Sequence, residues 1–515
     1  MKPTNHTFGA TATLSLKVWV AIFVYAILAG LAIQLVILPY VFPQLHAGNG
    51  LLAGRDWVGF HAQAIAEAQR IMQGGWAEFR LRPDSDNAII GITGLFYLLF
   101  GPHPWTILPL SAAMFATGGV ALFSILKQLD LEDNDALIAI LPFLFFPSSL
   151  LQYGQIHKDV FCTAGVLVIL WAWASLLRQE RKNWQIFPLI VIGALALMVV
   201  SVFRPYFMYP FLGLGALLLS CYVVRAVWQL WRSSASGMEM KRSGLVFNLT
   251  SIAIIVVLNA CVYIMSVTYV DVRLEPFPSS DVRGKFAFPV FSLHSNKDVR
   301  SADTARILSA NHLQAEAAAE AARIKAIEEC RPVIILRDDA FIENTVNRVF
   351  LKIAVARAGF TSSGGTTAAS NIDKGINFCK NEDLVRYIPR ALQIAFFAPF
   401  PSKWMSIDKR NSSPVEIYIS AVEMFYCYIA YLGLLYWLFS YRRWSVSLLL
   451  PVAFATGLCM LLGLTVANVG SLYRMRFPFA MIFVSIGMAG ILQLARMRPF
   501  WVESPESGDD GTARR

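Results

Sequence analysis

Long uninterrupted runs of apolar residues recur along the chain, and they limit the available folds more than any other feature. The 515 residues are 56% hydrophobic and 15% charged. The runs are about 18 to 25 residues long, enough to cross a hydrocarbon core of roughly 30 Å. A backbone inside lipid must satisfy its own hydrogen bonds, so each run predicts a transmembrane α-helix. A β-barrel would show alternating residues instead. The sequence therefore predicts an all-α polytopic membrane protein.

Ten segments have the expected length and hydropathy, and we predict a span at each: 18–42, 106–127, 136–153, 160–178, 186–203, 207–230, 245–269, 413–440, 445–466 and 477–494. A further apolar segment, 88–101, is only about 14 residues long, which is typical of a re-entrant or interfacial piece.

The basic loops decide whether 88–101 crosses. If it does not, and the N-terminus is cytoplasmic, the four basic loops 178–182, 231–242, 441–443 and 495–498 all face the cytoplasm. If it crosses, all four move outside, against the positive-inside rule. We therefore expect ten spans with both ends cytoplasmic. The net charge of +10 then reflects cytoplasmic loops, and no nucleic-acid partner is expected.

This layout divides the chain into four regions. Residues 1–178 hold the first span, an exterior loop at 43–105 and spans two to four. Residues 179–269 hold spans five to seven, 270–412 form a large and partly helical exterior loop, and 413–515 hold the last three spans and a cytoplasmic tail. Cys330 and Cys379 are the only cysteines of the large loop, so we predict a disulfide between them in an oxidising compartment. Two unpaired thiols are the alternative.

Cations gather at the exterior ends of several spans, where the positive-inside bias disfavours them. The turn QIHKD carries His157, Lys158 and Asp159, which could be no more than a wet polar turn, although ionisable groups at this depth are usually functional. Further cations stand near other predicted exterior ends: Arg204, Arg386, Arg390, Arg474 and Arg476. Each alone could snorkel or pair locally. Together they predict a site for an anionic ligand, and a phosphate suits Lys and Arg best.

The first exterior loop supplies acids. Asp56 begins a short amphipathic helix that also carries His61, and capping that helix is its simplest role. Asp84 and Asp86 have a DxD spacing that could hold a divalent cation, although the pattern is common by chance; a metal is not expected, and no other cofactor is predicted. The chain lacks GxxxxGK[ST], GxGxxG, CxxC and HExxH motifs, so ATP-driven transport, dinucleotide chemistry and zinc hydrolysis have no support.

An acid beside a phosphate-binding cluster suits transfer from a lipid-linked sugar phosphate. A carboxylate can deprotonate the acceptor hydroxyl, and Lys and Arg can stabilise the departing phosphate. Transfer of this kind predicts Lys158, Arg204, Arg474 and Arg476 as the donor-phosphate site.

On these motifs the chain resembles the GT-C superfamily of polyprenyl-phosphate-sugar-dependent glycosyltransferases, which includes protein O-mannosyltransferases and the lipid A aminoarabinose transferase. The resemblance covers most of 18–180 and the last span. It implies an essential acid after span one (Asp56 in GRDW), a polar motif at the exterior end of span three (His157 to Asp159) and a basic lipid-phosphate motif before a late span (Arg474 and Arg476). It further implies that residues 1–178 form the catalytic core.

We therefore expect a glycosyltransferase in a plasma membrane, that of a bacterial cell (the inner membrane), with its active site facing the exterior. Its partners would be a polyprenyl-phosphate-linked sugar donor, membrane lipids and a glycan, lipid or protein acceptor. Asp56 is the expected base and Asp159 the second candidate; His61, His157, Arg386 and Arg390 are candidate substrate contacts. A lipid-linked polysaccharide polymerase or ligase, and a lipid or glycan transporter, remain as alternatives.

Overall fold

In this computed structural model the described residues are 8–53, 56–83, 87–129, 131–176, 186–213, 371–404 apart from 374, 377 and 379, 414–440 and 446–496, with scattered positions in 215–231 and 349–360. Within these ranges the chain is helical and has no β-strand, only two isolated bridges. The predicted all-α class is confirmed for this part of the chain. The predicted span 245–269 lies outside it, and 207–230 is described only in part.

Fourteen helices are named in chain order within the described ranges. They are α1 Phe8–Ala32, α2 Asp56–Gly74, α3 Ala88–Phe100, α4 Leu108–Lys127, α5 Asp133–Ala139, α6 Leu141–Phe145, α7 Pro147–Gly154, α8 Asp159–Leu176, α9 Ile186–Phe203, α10 Asn381–Phe397, α11 Pro414–Ser440, α12 Val446–Thr465, α13 Val469–Met475 and α14 Phe477–Arg496. A π-helical turn, Ile33–Val41, continues α1, and a short 3-10 turn, Pro104–Ile107, precedes α4.

Five helical segments in the described chain are long and apolar enough to cross a membrane, or six if one bent pair forms a single span. The five are Thr13–Val41, Pro104–Lys127, Asp159–Leu176, Ile417–Ser440 and Phe477–Arg496. The bent pair, Asp133–Phe145 with Pro147–Gly154, turns by 66° and replaces the straight span predicted at 136–153. Pro147 explains the break because it has no backbone N–H to donate and restricts the residue before it.

The helices α1 and α4 run antiparallel and fix where the first loop lies. The Trp19 indole donates to Thr117 at 3.1 Å, whereas Gly30, eleven residues later on α1, packs against Leu108 at the start of α4. The end of α1 and the start of α4 therefore lie at the same end of the bundle. The chain between them, including α3, makes no net crossing, which agrees with the expectation for 88–101. We call this end of the bundle the loop end.

The opposite end is closed by ion pairs. The Arg496 guanidinium at the end of α14 binds both oxygens of Asp135 on α5, at 2.7 and 2.5 Å. Lys127 at the end of α4 binds Asp133 at 2.8 Å. Between the two ends the core is apolar, with α8 buried along almost its whole length.

Close packing of α11 on α14 depends on small residues. A Cβ built on Gly487 would lie 1.9 Å from the carbonyl oxygen of Ala430, and one built on Gly433 would lie 2.2 Å from that of Gly487. Backbones that approach this closely are typical of helices that pack in lipid, where small residues permit dispersion contacts that larger ones would block.

A matched pair of glycine substitutions tests this packing. Gly487→Ala should destabilise the protein by about 1–3 kcal/mol because the methyl group must displace backbone. Gly457→Ala on α12 should be neutral or slightly stabilising, since no atom lies within 4 Å of the new carbon and alanine favours a helix. Apparent Tm in detergent measures both variants. Equal Tm values for Gly487→Ala and the unmodified protein would contradict the close packing.

Candidate functional site

Charged side chains from four distant segments meet at the loop end of the bundle. Asp56 is the first residue of α2, His157 and Lys158 lie in the turn before α8, Arg204 directly follows α9, and Arg474 lies in the last turn of α13. Each group sits at a helix end because the apolar helix interiors carry few charges. We call these five residues, together with Asp159, the loop-end cluster.

Arg474 joins two of the predicted residues. Its Nη1 donates to Asp56 Oδ2 at 3.1 Å and lies 3.0 Å from His157 Nε2. His157 Nδ1 lies 3.1 Å from the backbone nitrogen of Asp159. The Arg474 guanidinium can only donate, so Nε2 must be the acceptor in that contact, and an imidazolium has no accepting nitrogen. That arrangement suits a neutral imidazole. Burial lowers the pKa of His157 to about 4, despite the opposing effect of Asp159.

Asp159 and Arg204 form a buried ion pair. Asp159 is 3% exposed and accepts from Arg204 Nη2, while Arg204 Nη1 donates to the Tyr206 hydroxyl. The other carboxylate oxygen, Oδ2, lies 3.2 Å from His157 Nδ1 but makes no hydrogen bond to the described residues. A buried carboxylate needs a charged partner such as Arg204, since an unpaired one would cost several kcal/mol. Asp159 therefore has little access to an acceptor in this arrangement.

Lys158 reaches from the same turn toward α3. Its Nζ donates to Asn87 Oδ1 at 2.5 Å, and Asn87 directly precedes α3. Burial lowers the pKa of Lys158 to about 8, reinforced by Arg204 and opposed by Asp159. The amine therefore stays largely protonated at neutral pH.

Asp56 is the more open of the two carboxylates, with a side chain 35% exposed. Burial alone would raise its pKa, but the neighbouring basic groups, Arg474 first among them, outweigh it, and the pKa lies below its usual value. Asp56 is ionised at neutral pH, and its oxygens remain partly accessible.

The first loop is held against the turn by the side chains of Gln155 and Trp57. Gln155 accepts from the backbone N–H of Leu52 and donates to the carbonyl of Gly50, each at 3.1 Å. The Trp57 indole donates to the Leu52 carbonyl, and its ring lies 5.9 Å from the His157 ring, edge to face. These contacts place Asp56, the neighbour of Trp57, beside the turn.

Arg476 lies apart from the cluster, contrary to the prediction that it binds the same phosphate. It is 3% exposed, and its guanidinium donates to the carbonyls of Ala395 and Ala398, each at 2.5 Å. These carbonyls lie at the end of α10, where a helix leaves acceptors unpaired. Its contacts are those of a structural residue.

Three other candidates also lie outside the cluster. His61 is buried, with Nδ1 2.6 Å from the Tyr97 hydroxyl. Arg390 pairs with Asp373 at 2.9 Å. Arg386 is exposed on α10. None of the contacts described for these three residues joins the cluster.

The remaining candidates fall outside the described residues: Asp84, Asp86, Cys330 and Cys379. The disulfide therefore stays a prediction, and the DxD spacing stays a candidate metal site that nothing tests. In the described ranges, no group of three or more His, Cys, Asp or Glu is arranged to hold a metal ion.

Sequence reasoning missed several residues that position the cluster. Asn87 and Tyr206 bind Lys158 and Arg204, and Gln155 fixes the first loop. Only Asn87 carried a signal, as a helix-capping residue type directly before an apolar run. The other two contacts are long-range or depend on backbone direction.

The chain was also compared with known proteins. No family model, curated protein or solved structure matches it.

The pKa of His157 gives a pH test of stability. Its value is about 4 in the folded protein against 6.5 unperturbed, so between these pH values the unfolded chain binds a proton that the folded chain does not. The contribution of His157 to stability should be constant above pH 6.5 and fall as the pH drops toward 4, by on the order of 3 kcal/mol. His157→Asn should remove most of that loss.

Apparent Tm measured from pH 7.5 to 4.5 gives the comparison. His103→Asn is the control, because it makes the same substitution at an exposed histidine outside the loop-end cluster, and the fall in Tm that His157 causes should persist in it. Parallel curves for the His157 variant and the unmodified protein would show that His157 is not held neutral by the fold.

Proposed function

We propose that the protein is a membrane glycosyltransferase that moves a sugar from a polyprenyl-phosphate donor to a hydroxyl acceptor at the loop end of the bundle. The observation that carries this proposal is the convergence of Lys158, Arg204 and Arg474 with an accessible carboxylate, Asp56, at one end of an apolar helix bundle. A lipid phosphate presents its charge at that depth, at the boundary between apolar helices and the aqueous loops.

The charge balance of the cluster favours an anionic ligand. Three cations face two carboxylates, and His157 is neutral, so the cluster holds one positive charge in excess. Arg474 Nε is buried without a hydrogen-bond partner among the described residues. An unpaired buried donor is costly, and a phosphate oxygen would satisfy it.

Arg474 would link donor binding to base strength. In this structure Arg474 donates to Asp56 and holds its pKa down, which weakens Asp56 as a base. A bound phosphate would draw the guanidinium toward itself, and its negative charge would raise the pKa of Asp56. The carboxylate would therefore become a stronger base when the donor is in place.

In the transfer step, Asp56 would take the proton of the acceptor hydroxyl as its oxygen forms a bond to the anomeric carbon. The bond between that carbon and the phosphate oxygen breaks, and the electron pair leaves on polyprenyl phosphate. Lys158 and Arg474 would stabilise the charge that develops there. Arg204 is committed to Asp159, so it acts mainly by keeping the turn in place.

Replacement of Asp56 by Asn tests its role as the base. Asp56→Asn keeps the size and removes the basicity, so turnover should fall by roughly two to four orders of magnitude, with donor binding retained. Asp383→Asn is the matched control, because Asp383 also lies in the first turn of a helix and caps it at Lys380 N, 2.9 Å away.

The assay uses the purified full chain in lipid nanodiscs with a panel of polyprenyl-phosphate sugars, and measures release of polyprenyl phosphate. Binding of polyprenyl phosphate is compared with that of the polyprenyl alcohol of equal length. Near-normal turnover of Asp56→Asn would overturn the base assignment. Equal binding of phosphate and alcohol, with no release from any donor, would overturn the proposed function.

A further inference from the structure

One of the apolar helices, α11, carries a buried carboxylate that lies outside the loop-end cluster. Glu423 is nine residues into α11, about 14 Å from its start at 1.5 Å per residue, and it is 2% exposed. A group of this kind inside a span is costly and needs specific partners. Glu423 was not among the residues predicted from the sequence, and the transfer chemistry proposed above does not use it.

Each oxygen of Glu423 accepts a hydrogen bond from a different segment. Oε1 accepts from the backbone N–H of Ser148, at 2.7 Å, and Oε2 accepts from the Tyr473 hydroxyl. Ser148 is the second residue of α7, where a backbone N–H has no partner within its own helix. The break between α6 and α7 exposes this N–H inside the bundle, and Glu423 satisfies it.

The two segments that Glu423 joins lead directly to the cluster. The helix α7 ends at Gly154, three residues before His157, and Tyr473 is the chain neighbour of Arg474. The side chains of His157 and Arg474 then meet at 3.0 Å. A single carboxylate therefore sets the spacing between the two backbones that bring Arg474 to the turn.

A second contact reinforces this attachment of α13 to α11. The sulfur of Met424, the next residue of α11, lies 3.0 Å from Arg476 Nη2. Both ends of the segment 473–476 are thus held by consecutive residues of α11. Arg474 lies between them, and its guanidinium extends away from these anchors to Asp56.

We propose that Glu423 is a positioning residue that fixes Arg474 against Asp56 and His157, through Tyr473 on one side and Ser148 on the other. This inference rests on the proposed function. Loss of either hydrogen bond should let α13 shift relative to the turn, and a displacement of about 1 Å at a reacting centre can cost roughly 100-fold in rate.

The test uses Glu423→Gln, Tyr473→Phe and the double variant. Glutamine offers only one accepting oxygen, so one of the two donors loses its partner. Tyr473→Phe removes the hydroxyl that donates to Glu423 Oε2. We expect each single variant to lower kcat by about 10- to 100-fold with little change in KM. The double variant should be no slower than the slower single variant, because both changes break one bridge.

Tyr426→Phe is the matched control. It removes a hydroxyl from the same helix, and among the described residues the hydrogen-bond contact of that hydroxyl is a 3.5 Å one with the Met488 sulfur. Its kcat should equal that of the unmodified protein. Rates are expressed per folded enzyme, from the monodisperse fraction, so a role in folding alone would leave kcat unchanged.

The outcomes separate this inference from the proposed function. If the unmodified protein releases polyprenyl phosphate while Glu423→Gln and Tyr473→Phe keep normal kcat, the positioning role is wrong and the function stands. Effects of the two single variants that multiply in the double variant would also overturn it. If the unmodified protein neither binds polyprenyl phosphate nor turns over any donor, the function itself fails.

Discussion

The pairing of Asp159 with Arg204 is the interaction on which the loop-end cluster depends. Asp159 begins a helix that is buried along almost its whole length, so its charge is acceptable only beside an opposite charge with good geometry. Arg204 supplies it from the end of α9. Removing one partner of such a pair typically costs about 3–5 kcal/mol, because the other charge remains buried. The pair thereby fixes the turn that carries His157 and Lys158.

Much of the charged cluster could be predicted from the sequence, because its charges lie at the ends of apolar segments and the order of those segments assigns each end to one side of the membrane. Charges that flank apolar runs are easy to recognise. Counting the predicted spans assigned four groups to the same end of the bundle: Asp56, the 157–159 turn, Arg204 and Arg474. The structure brings these residues together in hydrogen-bonded contact. Counting spans gives only the end of the bundle at which a residue lies, however, and not the direction in which its side chain points.

Arg476 shows this limit. It stands two residues after Arg474, and both were assigned to the phosphate site because they lie at the predicted exterior end of the last span. Residues two apart on a helical turn face different directions. Arg474 extends to Asp56, whereas Arg476 turns to the carbonyls at the end of α10. The bend at Pro147 was missed for a related reason, since apolar length alone cannot distinguish a straight span from a broken one.

The neutral state of His157 matters because of what Arg474 can do beside it. A protonated imidazole 3.0 Å from the guanidinium would repel it and would push it toward Asp56, tightening that pair. A neutral ring can accept from Arg474 and adds no positive charge. Arg474 Nη1 then contacts both the Asp56 carboxylate and the His157 imidazole. Its Nε has no hydrogen-bond partner among the described residues. In the function we propose, a guanidinium held in this way would turn to the donor phosphate without leaving a buried charge unpaired, because Asp56 is partly exposed and would be solvated by water or by the acceptor hydroxyl. The burial that lowers the pKa of His157 is therefore the same constraint that, in the proposed function, would keep Arg474 available to the donor phosphate.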